Sequence, residues 1–244
     1  MEDLLVLIDR DDRVLGSCPK LSAHTQKLLH RAFSIFIYDP KTDRILLQKR
    51  ALGKYHSGGL WSNSCCSHPR YGEPYAVALA RRQAQELGIT IPEQKAQILL
   101  LPGGSDDLLT GEGALPLRAD FQPMSGETGP VHSDVSKPSL PLTEDCRPLP
   151  ADTLRNTFLA CGRFIYFADY GELAEHELDR VFIYLCPEST PIIPDPEEIA
   201  ETAWVKRADI RTRLKARPEA FSAWFPKAFS LADAGIEALA RCDH

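Results

Sequence analysis

The feature that most constrains this chain is a dense polar run over residues 58–69, Gly-Gly-Leu-Trp-Ser-Asn-Ser-Cys-Cys-Ser-His-Pro. We predict that this run does not form an ordinary core strand, because many of its polar groups would then be buried without partners. Cys66 stands two residues before His68. The pair fits either a thiolate–imidazolium couple or two ligands for a metal ion. A surface loop with two inert cysteines is the alternative that involves no chemistry.

Net charge indicates what kind of partner the chain can attract. The 244 residues include 34 acidic and 28 basic side chains, a net charge of −6. No overall basic field therefore recruits nucleic acid or an anionic membrane, and neither is expected as a partner. An anionic small-molecule substrate would need a local cluster of Lys and Arg.

The compartment is predicted from the apolar segments and the cysteines. No apolar run approaches the ~20 residues of a membrane-spanning helix, and the first residues lack the features of a signal peptide. Seven cysteines are an odd number, and two of them are adjacent. This is poor geometry for a disulfide framework, so we expect mostly free thiols and a cytoplasmic location.

Short apolar runs predict strands on both sides of the polar run. A turn at residues 39–43 and a turn at residues 169–172 separate strands that pair as hairpins. The predicted strands cover residues 4–8, 32–38, 44–49, 164–168 and 204–205, with one more that opens near Glu175 and continues through residues 181–186.

A helix is predicted to begin near Pro74 and to end at Gly88. Its apolar stripe is expected to consist of Val77, Ala80, Ala84 and Leu87. Two further helices are expected near the end of the chain, one capped by Asp209 and reaching residue 217, the other over residues 218–239.

Two glutamates open the strand that follows the turn at residues 169–172. Alternation places Glu175 and Glu177 on one face and His176 on the other. Neighbouring carboxylates repel unless a cation or a shared proton compensates them, so the pair is a candidate metal site. An exposed acidic edge strand is the alternative.

Residues 97–160 differ from the rest of the chain. The span holds eight of the 19 prolines and six of the 15 glycines, and sustained periodicity ends near residue 101. It is expected to be a loop-rich insertion or a disordered segment.

Three separated motifs, taken in order, resemble the type I isopentenyl diphosphate isomerases of the Nudix superfamily. They are Leu29-His30-Arg31-Ala32-Phe33-Ser34, the run over residues 61–69, and Glu175-His176-Glu177. The resemblance covers roughly residues 4–93 and 162–230. It implies an α+β fold, a Nudix-like α/β/α sandwich with a mixed β-sheet, forming one domain over residues 1–244 with the insertion at about residues 97–160.

The resemblance also implies a reaction and its proton-transfer groups. Isopentenyl diphosphate would be isomerised to dimethylallyl diphosphate by protonation of the terminal methylene and removal of a C2 proton. Cys66 is implied as one proton-transfer group, and Glu177 with help from Tyr166 as the other. Which of them acts as the acid is left open. A monomer or homodimer is expected.

The same resemblance implies a set of binding residues. Zn²⁺ or Mn²⁺ suits a site of imidazoles and carboxylates, and a second ion, Mg²⁺, would bridge Glu86 to the diphosphate. Trp224 is implied to face the carbocation. The implied ligands of the first ion are His24, His30, His68, Glu175 and Glu177, and the implied diphosphate-binding residues are Lys20, Arg50, Lys54 and Arg82.

A Nudix diphosphate hydrolase is the main enzymatic alternative. Its motif, G-x5-E-x7-R-E-U-x-E-E-x-G-U, is retained here at Glu73, Arg81 and Glu86. Arg82 and Gln85 stand where two of its glutamates belong, which removes much of the metal cluster that activates water. A non-catalytic protein that binds prenyl diphosphates and a zinc-stabilised structural module are the remaining alternatives.

Overall fold

The computed structural model describes residues 3–101, 154 and 156–242, which form a ten-stranded mixed sheet with four α-helices. No helix among these residues has the length and apolar character needed to cross a membrane. The strands are β1 (Leu4–Ile8), β2 (Val14–Pro19), β3 (His30–Asp39), β4 (Arg44–Arg50), β5 (Trp61–Ser62), β6 (Cys65–Ser67), β7 (Gln97–Leu100), β8 (Thr157–Asp169), β9 (Ala174–Leu185) and β10 (Ile199–Lys206). The helices are α1 (Lys20–Thr25), α2 (Tyr75–Leu87), α3 (Arg207–Ala216) and α4 (Phe225–Cys242).

The main path of the sheet runs in the order β10-β4-β3-β9-β8-β7. The pairs β3–β9 and β7–β8 are parallel, while β10–β4, β3–β4 and β8–β9 are antiparallel. Strands β1 and β6 both pair with β3, and β5 pairs with β4. Strand β3 therefore lies at the centre of the fold and contacts most of the elements that carry polar motifs.

Two helices cover opposite faces of the sheet, as the alternation along β3 shows. Phe33, Ile35 and Ile37 pack with α2 on one face. Phe36 packs with α4 on the other, where its ring centroid lies 5.9 Å from that of Phe225. Burial of both faces explains why β3 is apolar along nearly its whole length. The predicted α/β/α sandwich with a mixed sheet is confirmed.

The predicted strands are all present, but several elements were missed. Strand β2 was not predicted. It has only six residues, and all of them have intermediate or high exposure. The polar run was predicted to exclude a core strand, and this was wrong. It forms β5 and β6, and its Ser62, Asn63 and Ser64 are buried.

The predicted limits of the insertion were wrong at both ends. Residues 97–100 form β7, and residues 157–160 begin β8. These two segments pair with each other in parallel. Four-residue runs of this kind carry too little periodicity to be recognised without that partner. The remainder of the predicted insertion, residues 102–153 and 155, lies outside the described residues.

The helix predictions need smaller corrections. Helix α2 ends at Gly88 as predicted, but its buried face includes Gln83 and Glu86, whereas Val77 and Ala84 of the expected stripe are only half-buried. Asp209 lies in the first turn of α3, and Lys206 occupies the N-cap position. Residues 218–220 form a short 3-10 helix, separate from α4.

Gly88 ends α2 in a left-handed conformation, with a φ of 72°. A Cβ atom at this position would lie 2.9 Å from Cβ of Ile193, whose backbone N–H donates to the carbonyl of Leu87 at 2.9 Å. The neighbouring segment is thus bonded to the helix end and has little freedom to withdraw. Gly72 has a similar φ of 79° but open space around it, so it provides a matched comparison.

We expect Gly88→Ala to lower the free energy of unfolding more than Gly72→Ala does. The left-handed backbone costs about 1–2 kcal/mol in both variants, and overpacking against Ile193 adds about 1–3 kcal/mol in the first only. Urea denaturation followed by circular dichroism measures both. Equal losses in the two variants would contradict the packing role of Gly88.

Candidate metal centre and active site

Four side chains from separate elements converge at one end of the parallel pair β3–β9. Their ligand atoms all lie within 4.8 Å of one another. Strand β3 begins beside the loop that carries α1, pairs with β6, and runs parallel to β9, so it gathers all four. The cluster consists of His24 on α1, His30 on β3, His68 after β6 and Glu175 on β9.

The protonation of two of these histidines is fixed by backbone carbonyls. Nδ1 of His24 lies 3.2 Å from the carbonyl oxygen of Ala174, and Nδ1 of His30 lies 2.8 Å from that of Leu28. A carbonyl only accepts, so Nδ1 carries the proton in each ring and Nε2 keeps its lone pair. Both Nε2 atoms are buried without a hydrogen-bond partner.

These unpartnered atoms fit a metal ion. Oε2 of Glu175 is a third buried atom without a hydrogen-bond partner in the same cluster. Buried polar atoms are almost always paired, and second-shell carbonyls on the Nδ1 atoms are typical of histidine metal ligands. Imidazole nitrogens with a carboxylate oxygen are suited to Zn²⁺ or Mn²⁺. The donor set therefore supports the predicted metal centre.

Glu177 lies beside this cluster and has its own set of partners. Nε2 of His68 is 2.7 Å from Oε1 of Glu177, and Nε2 of His30 is 3.5 Å from the same oxygen. The Tyr166 hydroxyl donates to Oε2 at 2.5 Å. Tyr166 faces Glu177 across the β8–β9 ladder, and His30 faces it across the β3–β9 ladder.

The two glutamates titrate in opposite directions. Burial raises the pKa of Glu175 well above its usual range, and the negative charge of Glu177 adds to this effect. Burial also opposes ionisation of Glu177, but interactions with Glu175, His68 and His30 outweigh it and hold its pKa well below the usual range. Without a cation, one proton therefore stays on the pair, as the repulsion of neighbouring carboxylates requires.

Burial keeps two of the cluster histidines neutral. Desolvation, with a smaller contribution from the neighbouring His30, lowers the pKa of His24 to about 4 and that of His68 to about 3. Neutral imidazoles are the form that binds a metal.

Cys66 lies in the wall of a cavity whose lining also includes Tyr166, Glu177 and Trp224. Its Sγ atom lies 3.4 Å from Nη1 of Arg50. Burial raises the pKa of the thiol to about 12, although the charge of Arg50 opposes the shift. The side chain is therefore a thiol. The thiolate–imidazolium couple is not formed, because Nε2 of His68 is directed at Glu177.

Four cationic side chains line the same cavity, and all four were predicted to bind the diphosphate: Lys20, Arg50, Lys54 and Arg82. Two of them share a counter-ion, Glu198, which forms an ion pair with Lys54 and lies 3.2 Å from Nη2 of Arg82. Burial and the neighbouring positive charges lower the pKa of Lys20. The global charge gave no sign of this local positive cluster.

Glu86 lies apart from the histidine cluster. It is buried on α2, where its Oε1 accepts from Nη2 of Arg82 at 2.6 Å. Burial raises its pKa, and the charge of Arg82 opposes the shift. It is paired with a cavity-lining arginine, and its role as an Mg²⁺ ligand stays a prediction.

Trp224 is held by the polar run. Its indole N–H donates to Oδ1 of Asn63 at 3.0 Å, and the Ser62 hydroxyl donates to the same oxygen at 2.9 Å. The guanidinium carbon of Arg50 lies 5.2 Å from the indole ring. The face of the ring is thus already in contact with a positive charge, which is the interaction predicted for a carbocation.

Several residues of the site were missed in the sequence. Nε2 of His56 lies within hydrogen-bonding distance of Oε1 of Glu175, Glu198 bridges two cations, and Asp179 lines the cavity with Oδ2 accepting from the Ser34 hydroxyl at 2.7 Å. Asp179 continues the alternation of Glu175 and Glu177 on β9, so period two could have found it. His56 and Glu198 lie in loops and carry no comparable signal.

Comparison with known proteins agrees with this arrangement. Residues 28–103 match the NUDIX domain. The isopentenyl-diphosphate Delta-isomerase of Photobacterium profundum is 34% identical over 230 residues, which covers 93% of this chain and 92% of that protein. The protein of the same name from Aliivibrio fischeri strain ES114 is 33% identical over 233 residues, with 94% of each chain covered.

Among solved structures, the crystal structure of DR0079 from Deinococcus radiodurans is similar, with a TM-score of 0.49 and 12% sequence identity. The similarity covers 88% of this chain and 90% of that one. The similarity to the isomerases extends over nearly the whole length of the chain. The chain belongs to the isopentenyl-diphosphate Delta-isomerase family and contains a NUDIX domain.

Proposed function

We propose that this protein interconverts isopentenyl diphosphate and dimethylallyl diphosphate by moving a proton onto one carbon and off another. The observation that carries the proposal is the joint lining of one cavity by two kinds of group. Cys66 and the Tyr166–Glu177 pair are able to hold and release protons, and four cationic side chains are able to hold a diphosphate. Isomerisation of a five-carbon prenyl diphosphate needs both kinds of group.

The chemistry explains why the proton-transfer groups are buried. A proton added to the terminal methylene gives a tertiary cation at C3, and removal of a C2 proton then forms the new double bond. An unactivated alkene is a poor base, so protonation needs a strong acid and a site that excludes water. Cys66 supplies a neutral thiol, and the Glu177 carboxyl has the Tyr166 hydroxyl at 2.5 Å.

The roles of the two groups exchange with the direction of the reaction. The group that donates a proton in one direction accepts it in the other, because the isomerisation is reversible. Trp224 and Arg50 form part of the same wall. The indole face stabilises the positive charge that develops on the substrate between the two proton transfers.

The metal centre is proposed at His24, His30, His68, Glu175 and Glu177. A divalent cation there, Mn²⁺ or Zn²⁺, would polarise the Glu177 carboxyl and strengthen it as an acid. The chain itself provides the neutral imidazoles, the carboxylates and the Tyr166 hydroxyl that fixes Oε2 of Glu177. We propose Glu86 as the residue that contacts Mg²⁺ bound to the substrate.

The hydrolase alternative is weaker because two of its glutamate positions are occupied by Arg82 and Gln85. Gln85 supplies an amide oxygen instead of a carboxylate, and it accepts from Arg82 at 3.2 Å. A third carboxylate, Glu73, accepts from Nε of Arg81 at 2.7 Å. Fewer carboxylates are therefore left to hold the metal ions that activate water.

A proton and phosphorus NMR time course tests the proposed function. Purified protein is incubated in D₂O with isopentenyl diphosphate, Mg²⁺ and Mn²⁺. We expect dimethylallyl diphosphate to form with incorporated deuterium and without free phosphate. Release of phosphate or of a monophosphate would support a hydrolase, and an unchanged substrate would support a protein that only binds.

Replacing either proton-transfer group is expected to abolish the isomerisation. Cys66→Ala and Glu177→Gln should each lower kcat by at least about 10²-fold, the usual contribution of a general acid or base. The NMR assay measures the rate, and circular dichroism confirms the fold. Cys186→Ala removes a buried thiol on the α2 side of the sheet and serves as the control. A near-parental rate in Cys66→Ala would remove that thiol from the mechanism.

Substitutions of Arg82 and Arg81 distinguish an effect on substrate binding from an effect on helix stability. Arg82 lines the cavity, whereas Arg81 is not in its lining and is paired with Glu73. We expect Arg82→Ala to raise KM by about 10- to 100-fold, since a hydrogen bond to a charged group contributes about 1.5–3 kcal/mol. Arg81→Ala should leave KM near the parental value. Equal KM values in the two variants would contradict the diphosphate role.

A further inference from the structure

We infer that His56 is a positioning residue that donates from Nε2 to Oε1 of Glu175 and thereby directs Oε2 of Glu175 toward the three histidines of the metal centre. The inference rests on the metal centre of the proposed function and adds a residue to it. His56 lies in the loop between β4 and β5, and its side chain is 4% exposed.

The two oxygens of the Glu175 carboxyl group have different surroundings. Nε2 of His56 lies against Oε1 within hydrogen-bonding distance. Oε2 has no hydrogen-bond partner and lies 3.8 Å from Nδ1 of His24. One oxygen is therefore engaged from outside the cluster, and the other is left for a cation.

A short chain of hydroxyls beside Nδ1 of His56 is compatible with a ring proton on Nε2. The Tyr170 hydroxyl lies 3.2 Å from Oγ of Ser57, and Oγ lies 3.3 Å from Nδ1 of His56. When the Tyr170 hydroxyl donates to Oγ and Oγ donates to Nδ1, the ring proton is on Nε2 and faces Glu175.

This tautomer is the reverse of the one found at His24 and His30. Those rings give their Nδ1 proton to backbone carbonyls and present an Nε2 lone pair to the cluster. His56 presents a proton to a carboxylate that a cation would share. A donor of this kind orients a metal ligand from the second shell, which is the role we assign to it.

Packing fixes the plane of the ring. The His56 ring is stacked on Tyr170 at a centroid distance of 4.9 Å and an angle of 19°, and it meets Trp224 edge-on at 5.9 Å. The loop that carries it is closely packed at Gly58, where a Cβ atom would lie 2.8 Å from the carbonyl oxygen of Leu52. Ring and loop are thus both constrained in advance of any ligand.

Two substitutions separate the hydrogen bond from the packing. His56→Phe keeps a ring between Tyr170 and Trp224 but removes the donor. His56→Gln loses the ring but places an amide N–H at a position close to that of Nε2. We expect His56→Phe to weaken Mn²⁺ binding by about 10- to 100-fold, the usual effect of removing a second-shell partner, and His56→Gln to retain most of the parental affinity.

The readout is the Kd of Mn²⁺ for the full chain, measured from the EPR signal of the free ion in the absence of substrate. His176→Phe is the matched control, because this histidine is adjacent to Glu175 but bonds to the carbonyl of Lys27 on the other face of β9. Circular dichroism establishes that each variant is folded, and a folded His56→Ala variant replaces His56→Phe if the latter is not.

Three outcomes are decisive. An unchanged Kd in His56→Phe overturns the inference, as does an equal loss in His56→Phe and His56→Gln, which would assign the effect to packing. A loss in His56→Phe that His56→Gln restores supports it. Because no substrate is present, this result stands even if the protein fails to isomerise isopentenyl diphosphate, and that failure would overturn the proposed function alone.

Discussion

The site depends on the parallel pairing of β3 with β9. In the register of this pair, His30 lies opposite Glu177. Residues nearly 150 positions apart in the sequence therefore meet at one end of the two strands. A shift of one residue would turn the glutamates of β9 to the opposite face of the sheet. Burial of both faces of β3 prevents that shift, because every apolar side chain would move with it. The same packing that stabilises the core therefore sets the geometry of the metal centre.

The polar run is compatible with this core because its groups find partners within the fold. Oγ of Ser64 donates to the carbonyl of Leu46 at 2.5 Å and accepts from the backbone of Ile37 at 2.7 Å. Asn63 donates to the carbonyl of Cys65 at 2.6 Å and accepts from Trp224. The run thus bonds β3, β4 and the start of α4 to one another. Ser62, Asn63 and Ser64 are buried, and Asn63 holds the cavity-lining Trp224 in place.

Charge is balanced locally around the cavity. The carboxylates of β9 share one proton in the absence of a cation, and Glu198 forms ion pairs with both Lys54 and Arg82. A metal ion would replace the shared proton, and an anionic substrate would replace Glu198 as the partner of the two cations. Burial of unbalanced charge is costly, so these pairings stabilise the lining of the cavity.

The sequence by itself determined the order of the buried strands, the end of α2 at Gly88, and the residue types of the metal and diphosphate sites, because these follow from local periodicity and from motifs of adjacent residues. Only the tertiary structure decided which of those residues meet. His56 and Glu198 join the site through loops whose position is set by packing, and Glu86 lies on α2 beside Arg82, outside the histidine cluster. The polar run became buried because its partners lie on strands distant in sequence, and no local pattern records such pairing.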